Sequence, residues 1–477
     1  MSTDRSASPD LYASLLQRAH ELALNYLGSL PERPVGARLN AEALVPRLGG
    51  SLPDSPSDPV SVLEDLARVA DPGLVASAGP RFFGFVIGGS FPVALAADWL
   101  TSTWDQNAGL HVASPAVAAI EEVTRQWLLD LFDLPRTSSI GFVTAAHLAN
   151  VTALAAARHE VLRGVGWDVE VRGLQGAPRV TVVAGSEAHS SIPAACRLLG
   201  LGSSTLVRVP HDDQGRMRAD ALERALTSVD GPLIVCAQAG NVNTGSFDPV
   251  DEIAGLTHDR GGWLHVDGAF GLWAAAVPAL KRHVRGIERA DSWATDAHKW
   301  LNVPYDSGIV MTAHPAAHRA AMSHTAAYLI PGEGQQRDAT DWVPELSRRA
   351  RSITVYATLR SLGVSGVRGL VAGCCSLAQR MAARLEGQPG IRILNDVVLN
   401  QVLVRFDDGT GGNATPQVIQ AVQRDGTCWL GGTTWQGEPA MRISVSGWAT
   451  SERDIDRSAE AILRCHRTAM RDVPASR

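Results

Sequence analysis

The stretch "GGWLHVDGA", residues 261–269, decides the fold class, because it reads as a short buried strand that ends on an acidic side chain. Asp267 follows the apolar run directly, at the predicted carboxyl end of the strand. Similar runs occur elsewhere in the chain: "RVTVVAG" (179–185), "PLIVCAQAG" (232–240) and "SGIVMTA" (307–313). Longer helical segments separate these runs, and such alternation is typical of a mostly parallel sheet covered by helices. The sequence therefore predicts an α/β protein.

The distribution of helical and strand-like segments along the chain predicts three regions. Residues 1–90 contain helical stretches such as "LYASLLQRAHELALNYL" and read as a helical N-terminal extension. Residues 91–350 carry the alternating strands and helices of a large domain. Residues 351–477 combine long helical stretches with the short strands "NQVLVRF" and "MRISVSGW", which predicts a smaller C-terminal α/β domain.

Composition excludes several classes of protein. The chain has 477 residues, 45% of them hydrophobic and 19% charged, which is typical of a globular protein. A net charge of −6 argues against a nucleic-acid partner. The apolar segment 82–97 is short and broken by Gly and Pro, so no membrane partner is expected, and the polar N-terminus predicts a cytoplasmic protein. The six cysteines form no CxxC pair, so neither a disulfide framework nor a metal site is expected.

Lys299 is the first candidate for chemistry. It lies in "DAHKWLNVPYDSG" (296–308) and is one of only two lysines in a chain with 43 Lys and Arg residues; the other is Lys281. Arginine stays protonated in proteins, whereas a buried lysine can lose its proton and act as an amine nucleophile. A plain salt bridge to a nearby carboxylate is the alternative interpretation.

Two further features of the sequence narrow the range of reactions in which Lys299 could take part. A carboxylate at a strand end, such as Asp267, can be a metal ligand, a general base, the partner of a pyridine nitrogen or simply a turn residue. The segment "GFVTAAHLANVTALAAARHEVL" (141–162) runs from a strand into a helix, whose first N–H groups, near residues 144–148, suit a phosphate unless the turn is an ordinary one. A lysine imine, a pyridinium partner and a phosphate cradle are together what pyridoxal 5'-phosphate (PLP) requires.

Four motifs in this order carry a resemblance to a known family: "SEAHSS" (186–191), "NTGSFDP" (243–249), "HVDGAFG" (265–271) and "DAHKWLNVPYDSG". From about residue 80 to about residue 450 the chain resembles the group II PLP-dependent amino acid decarboxylases, in particular the aromatic L-amino acid decarboxylase branch. The resemblance implies fold type I, with a mostly parallel seven-stranded-type sheet in the large domain. It also implies a homodimer with the active site at the interface.

The resemblance implies roles for individual residues. Lys299 would carry PLP as a Schiff base, Asp267 would pair with the pyridine nitrogen, and His189 would stack on the ring opposite Ala269. His298 would lie near the phosphate, and Asn243 near the ring hydroxyl. Ala146 and His147 belong to the phosphate turn, where relatives usually carry Gly, Ser or Thr, so either the imidazole or the backbone would hold the phosphate.

The implied reaction is decarboxylation of an L-amino acid to the amine and carbon dioxide. Lys299, His189, Asp267 and Tyr328 would be the catalytic residues, with Tyr328, in the loop "HTAAYLIPGEGQQRDATDW" (324–342), returning a proton to the α-carbon. Oxidative deamination to an aldehyde, aldol-type cleavage and transamination remain alternatives on the same scaffold, because a fold does not fix the bond that breaks. A cofactor-free binding protein is a further alternative.

The substrate is expected to be aromatic or bulky and apolar. "GPRFFGF" (79–85) resembles a pocket-lining segment of the family, although Gly79 stands where relatives carry His. Phe82, Phe83 and Trp104 either line the pocket or pack in the core. Arg442 either contacts the substrate carboxylate or braces the small domain.

Overall fold

The computed structural model describes residues 9–323 and 337–471. Its larger sheet has seven strands in the order β1-β7-β6-β5-β4-β2-β3. These are β1 (Ser139–Val143), β2 (Thr181–Gly185), β3 (Val207–Val209), β4 (Leu233–Gln238), β5 (Trp263–Asp267), β6 (Ser292–Asp296) and β7 (Gly308–Thr312). Strand β7 runs antiparallel to both of its neighbours, and the remaining pairs are parallel. The predicted α/β class with a mostly parallel sheet is confirmed.

A smaller antiparallel sheet follows in the chain, with four strands in the order β10-β11-β9-β8. Its strands are β8 (Ile391–Ile393), β9 (Gln401–Phe406), β10 (Gly431–Trp435) and β11 (Glu438–Ser444). Strands β9 and β11 coincide with the apolar runs that the sequence marked in this region. Their buried side chains belong to a second hydrophobic core, separate from the core of the larger sheet.

Helices cover both sheets and form the N-terminal region. They are α1 (Pro9–Ser29), α2 (Ala41–Leu48), α3 (Pro59–Ala70), α4 (Pro92–Trp104), α5 (Pro115–Phe132), α6 (Ala146–Arg163), α7 (Val169–Arg172), α8 (Ser191–Leu198), α9 (Ala219–Leu226), α10 (Val250–His258), α11 (Pro315–Met322), α12 (Ser352–Leu385), α13 (Thr415–Asp425) and α14 (Glu452–Arg471). Short 3₁₀ segments follow β5, including Gly271–Ala276 and Pro278–Val284.

The long helix α12 joins the two cores. Its N-terminal half contributes Val355 and Leu359 to the core of the larger sheet, and its C-terminal half contributes Met381 and Leu385 to the core of the smaller one. A residue in the left-handed region, Gly363 with φ 59°, bends the helix between the two halves. In the part of the chain that the structure describes, α12 alone has the length and apolar composition of a membrane span, and core helices commonly share those properties.

Candidate active site

The candidate site lies where neighbouring strands of the larger sheet end. Strands β2, β4, β5 and β6 are parallel and adjacent, so their carboxyl ends meet at one edge of the sheet. Antiparallel pairing of β1 with β7 brings Val143, the last residue of β1, to the same edge, opposite Gly308. The turn into α6, the loop after β2 and the loops after β5 and β6 therefore converge. These loops carry His189, Asp267 and Lys299.

Two polar side chains hold the Asp267 carboxylate in place. Oδ2 accepts hydrogen bonds from Asn150 Nδ2 at 3.0 Å and from Ser191 Oγ at 3.2 Å. Oδ1 accepts the backbone N–H of Ala269 at 3.2 Å. The side chain is buried, so these three bonds replace water around its charge. The orientation of Asp267 is thus fixed by α6, by the first residue of α8 and by its own loop.

A chain of buried hydrogen bonds extends behind Asn150. Because Asn150 Nδ2 donates to Asp267, Asn150 Oδ1 accepts, and it lies 2.9 Å from His265 Nε2, which therefore carries the ring proton. Nδ1 of His265 then accepts from Ser292 Oγ at 2.9 Å, and Ser292 Oγ accepts from Trp263 Nε1 at 2.8 Å. Every donor points toward the carboxylate, so the chain stabilises the negative charge of Asp267.

His265 is neutral in this chain, because burial lowers its pKa from 6.5 to about 4, despite the opposing charge of Asp267. In the unfolded state His265 therefore becomes protonated near pH 6.5, whereas in the folded state it becomes protonated only near pH 4. The stability that His265 contributes is complete above pH 6.5 and is lost as the pH falls toward 4.

We expect this titration to be visible in unfolding. Between about pH 7.5 and pH 5, the free energy of unfolding should fall by about 2 kcal/mol more in the parent protein than in His265→Gln, which cannot titrate. Urea unfolding at the two pH values measures the difference. Equal losses in the two proteins would contradict the assignment of a neutral, buried His265.

His189 lies next to Asp267 through a shared hydroxyl. Ser191 Oγ is 2.8 Å from His189 Nδ1 as well as 3.2 Å from Asp267 Oδ2, and the His189 backbone N–H donates to Gln238 Oε1 at 3.2 Å. Burial lowers the pKa of His189; the charge of Asp267 opposes this, and Lys299, Arg442 and His147 add to it. These groups therefore act on one another across a single site.

Lys299 follows β6 and forms an ion pair within its own loop. Its Nζ lies 3.0 Å from Oδ2 of Asp296, the buried last residue of the strand, and a fifth of the Lys299 side chain remains exposed. On the other carboxylate oxygen, Asp296 Oδ1 accepts the backbone N–H of Ala146 at 2.5 Å. The carboxylate therefore bridges the lysine and the first residue of α6.

The turn into α6 approaches the backbone of β7 closely. A Cβ added at Gly308 would lie 2.4 Å from the carbonyl carbon of Ala145, so a larger residue there would push the turn outward. Ala145 precedes the helix and gives no side-chain cap, and Ala146, buried, is its first residue. His147 follows in the first turn and is exposed. The predicted phosphate turn is therefore a helix start whose own N-cap residue offers no side-chain acceptor, while Asp296 accepts the N–H of the first helical residue.

His298 lies beside the same carboxylate. Ser307 N–H donates to His298 Nδ1 at 3.1 Å, so the ring proton is on Nε2, which faces Asp296 Oδ1 at 3.6 Å. The Tyr305 ring packs on the imidazole with centroids 4.2 Å apart. Burial is the main cause that lowers the pKa of His298, so the side chain is a neutral hydrogen-bond donor.

Two further predicted site residues, Arg442 and Asn243, lie on or beside the small sheet. Arg442, on β11, is partly buried, and its guanidinium donates to the Val242 carbonyl at 3.4 Å. Burial lowers its pKa, and no carboxylate of the described residues lies within ion-pair distance. Asn243 is buried, and its Oδ1 accepts from Thr433 Oγ1 of β10 at 2.9 Å.

Three aromatic residues were predicted either to line the pocket or to pack in the core. Phe82 is buried against the Trp429 ring, with centroids 5.0 Å apart, and Phe83 is buried in the core of the small sheet. Both rings are therefore packed in cores of the protein, where a large ring gains most from burial, and their pocket role stays a prediction. Trp104 is the last residue of α4 and is half exposed. Tyr328 lies outside the described residues.

One segment near the lysine was not expected from the sequence. Phe85 and Val86 both have left-handed backbone, with φ 55° and 61°, which is rare for residues with bulky side chains. Phe85 is exposed and also packs on the Trp429 ring, with centroids 5.3 Å apart, while Gly88, two residues after Val86, lies against the Lys299 carbonyl. Strained backbone of this kind clusters at functional sites.

The arrangement fits PLP. A buried, oriented carboxylate at the end of β5 suits a pyridinium nitrogen, and an imidazole and the small Ala269 are available for the two ring faces. The start of α6, whose N-cap residue Ala145 gives no side-chain acceptor, suits a phosphate. Lys299 offers a primary amine, the group that an aldehyde cofactor needs to form an imine. Fold and site together define a PLP-dependent enzyme of the fold type I class.

Comparison with known proteins then identifies the family. The family model described as "Pyridoxal-dependent decarboxylase conserved domain" matches residues 42–407, and the chain belongs to this family. It is a PLP-dependent amino acid decarboxylase.

Individual relatives cover nearly the whole chain. The chain is 28% identical over 466 residues to an aromatic-L-amino-acid decarboxylase from Bacillus atrophaeus, covering 95% of each. It is 23% identical to phenylacetaldehyde synthase from Arabidopsis thaliana, covering 90% of this chain and 91% of that one. The crystal structure of Oryza sativa TDC with PLP and tryptamine superposes with a TM-score of 0.91 at 23% identity, covering 98% of this chain and all of the other.

Proposed function

We propose that the enzyme decarboxylates an aromatic L-amino acid, with Lys299 carrying PLP, Asp267 pairing with its ring nitrogen, and His189 and Ala269 on its two faces. His298, Asn243 and the Ala146–His147 turn complete the cofactor site in this proposal. PLP, when bound, accepts the electrons of the bond broken at the α-carbon. The protein residues hold the cofactor, orient the substrate and return the proton, for which Tyr328 is the proposed donor.

The observation that carries the substrate proposal is Arg442. A partly buried guanidinium without a carboxylate partner in residues 9–323 and 337–471 leaves a positive charge for an anion to neutralise. Its charge acts on His189, as does that of Lys299, so the anion would sit between the cofactor and the small sheet. Every amino acid substrate has an α-carboxylate, which is an anion that could pair with Arg442. Arg442 is therefore proposed to orient the group that leaves as carbon dioxide.

Two observations support the proposed preference for an aromatic substrate. The exposed Phe85 ring packs on Trp429 and lies three residues before Gly88, which contacts the Lys299 carbonyl. The relatives reported above include an aromatic-L-amino-acid decarboxylase. A panel of aromatic, imidazole-bearing, acidic and aliphatic amino acids, scored for amine, aldehyde and carbon dioxide, tests the substrate class. Release of amine from acidic substrates alone would overturn it.

Aldehyde formation is the second candidate, because phenylacetaldehyde synthase is among the relatives. The same panel separates the two reactions. Amine as the main product supports simple decarboxylation, whereas aldehyde with ammonia and peroxide supports oxidative deamination.

Replacement of Arg442 gives a sharper test. Arg442→Gln should weaken substrate binding by about tenfold to a hundredfold, since a charge-assisted pair to the carboxylate is lost. The affinity for the amine product, which has no carboxylate, should stay unchanged. Arg405→Gln, on the neighbouring strand β9, is the matched control, because Arg405 pairs with Asp407 and Glu438 instead. Equal losses for substrate and product would show that Arg442 only braces the small domain.

The enzyme is also proposed to be a homodimer with its active site at or near the interface. Helix α1 exposes a row of apolar side chains that includes Leu16 and Leu24, about half exposed each. Between α1 and α4 lies an open apolar groove of about 690 Å³, lined by residues that include Leu27, Trp99 and Trp448. Apolar surface of this extent suits a second copy of the chain. The free, buried cysteines agree with a cytoplasmic location, which remains a proposal.

Charges placed on α1 test the dimer. Leu16→Asp combined with Leu24→Asp should give a monomer in sedimentation velocity and should abolish activity, because each site needs the partner copy. Val171→Asp places the same charge at another exposed apolar position, on α7, and should leave the dimer intact. An active monomer would refute the proposal.

A further inference from the structure

Asp296 occupies the place where the proposed cofactor site needs an anion. Its side chain is only 2% exposed at the end of β6, and it reaches the first residue of α6. The N–H groups at a helix start attract one anion, and a phosphate monoester is the anion expected here. In this structure a carboxylate of the chain itself accepts the Ala146 N–H. The start of α6 is therefore already neutralised from within the protein.

The charges around Asp296 are few. Lys299 Nζ, at 3.0 Å, is the cation paired with it, and His298 faces it at 3.6 Å in a neutral form. Arg351, which directly precedes α12, pairs with Asp306 of the lysine loop and with Glu345. A phosphate monoester adds a charge of about −1.5 to −2. Lys299 alone cannot neutralise both this charge and the carboxylate, and in a buried site repulsion between two anions is weakly screened.

We propose that Asp296 competes with the cofactor phosphate for the start of α6, so that it weakens PLP binding and holds Lys299 in an ion pair while the cofactor is absent. When PLP binds, its phosphate replaces the carboxylate as acceptor of the Ala146 N–H. Asp296 is thus a positioning residue for both the turn and the lysine. This inference rests on the proposed role of the α6 start as the phosphate site.

The variant Asp296→Asn separates charge from shape. The amide oxygen still accepts the Ala146 N–H, while the negative charge is removed. The loss of charge also frees Lys299 from its ion pair, which changes binding of any aldehyde to the lysine. Pyridoxal, which has the aldehyde but no phosphate, measures that common effect. The ratio of the pyridoxal and PLP dissociation constants therefore measures how much the phosphate alone contributes to the affinity for PLP.

The experiment titrates the full-length protein, stripped of cofactor, with PLP and with pyridoxal, and follows the absorbance of the lysine-bound aldehyde. We expect the preference for PLP over pyridoxal to rise at least about tenfold in Asp296→Asn, as expected when one repulsive charge is removed from a buried pair. Release of PLP after dilution should slow correspondingly. Asp296→Ser, smaller and equally uncharged, should change the preference in the same direction and covers the case in which the Asn variant does not fold.

Asp291→Asn is the matched control. Asp291 directly precedes β6, at the opposite end of the same strand, where it pairs with His258 and His314, so the net charge of the protein changes equally. Its PLP preference should match the parent. An unchanged or lower preference for PLP in both Asp296 variants would overturn the inference while leaving PLP dependence intact. Failure of the parent protein to bind PLP at all would instead refute the cofactor site itself.

Discussion

Lys299→Ala yields a folded protein that holds no cofactor covalently and whose decarboxylation falls at least about a thousandfold, because the amine that binds the aldehyde is gone. Lys281 cannot replace it: this lysine is half exposed, lies in the 3₁₀ segment Pro278–Val284 and pairs with Asp133 at 3.0 Å. Borohydride reduction followed by peptide mass spectrometry measures the covalent adduct. A reduced adduct on any residue of the Lys299→Ala protein would contradict the assignment.

Two companion variants separate the amine from its charge. Lys299→Arg keeps a cation for Asp296 and should fold as the parent does, yet it cannot form the imine, so its covalent loading should also be nil. Lys281→Ala removes the other lysine and should load and turn over normally. Loss of loading in Lys281→Ala would mean that the wrong lysine had been chosen.

Asp267→Asn is expected to lower kcat by about a hundredfold or more, since a buried carboxylate that stabilises positive charge on the cofactor ring becomes neutral. Asn150 Nδ2 and Ser191 Oγ would then face an amide in place of the carboxylate, so the position of the side chain is kept approximately while its charge is lost. Loading with PLP, read from absorbance, should survive because Lys299 is untouched.

A cofactor analogue identifies the cause of the loss. PLP with a carbon atom in place of the ring nitrogen cannot be protonated there, so it should disable the parent enzyme and add no further loss in Asp267→Asn. Additive losses from the variant and the analogue would show that Asp267 acts on something other than the ring nitrogen. Asp291→Asn, remote from the site, should respond to the analogue as the parent does.

The sequence predicted the strands that are mainly apolar. Strands β2, β4, β5 and β7 are buried, mainly apolar runs of five or six residues, and their short length and flanking Gly or Pro residues distinguish them from helices. Strand β6 was not recognised, because Ser292 and Thr295 look like surface residues. In the structure they are buried, with hydroxyls bonded to His265 and Trp263 or facing the Ala269 carbonyl.

The sequence predicted those residues of the candidate site that lie in recognisable motifs. Asp267, Lys299 and His189 do lie together, although their roles remain proposals. The supporting residues were missed because their contacts are remote in sequence: Asn150 bonds Asp267 across 117 positions, and nothing in a helix of small residues marks that asparagine. Asp296 was quoted in the lysine motif, but only its three-dimensional contact with Ala146 shows that it matters.

The approach of Gly88 to Lys299 has a consequence for enzyme engineering. A Cβ at Gly88 would lie 1.7 Å from the Lys299 carbonyl oxygen. Asn302 ties the same loop to Phe91 and Ser446 through its backbone carbonyl and its Nδ2. Mutant libraries that reshape the substrate side around Phe85 should therefore leave Gly88 and Asn302 unvaried. Changes at either position would move the backbone of the lysine and be selected against, whatever their effect on substrate choice.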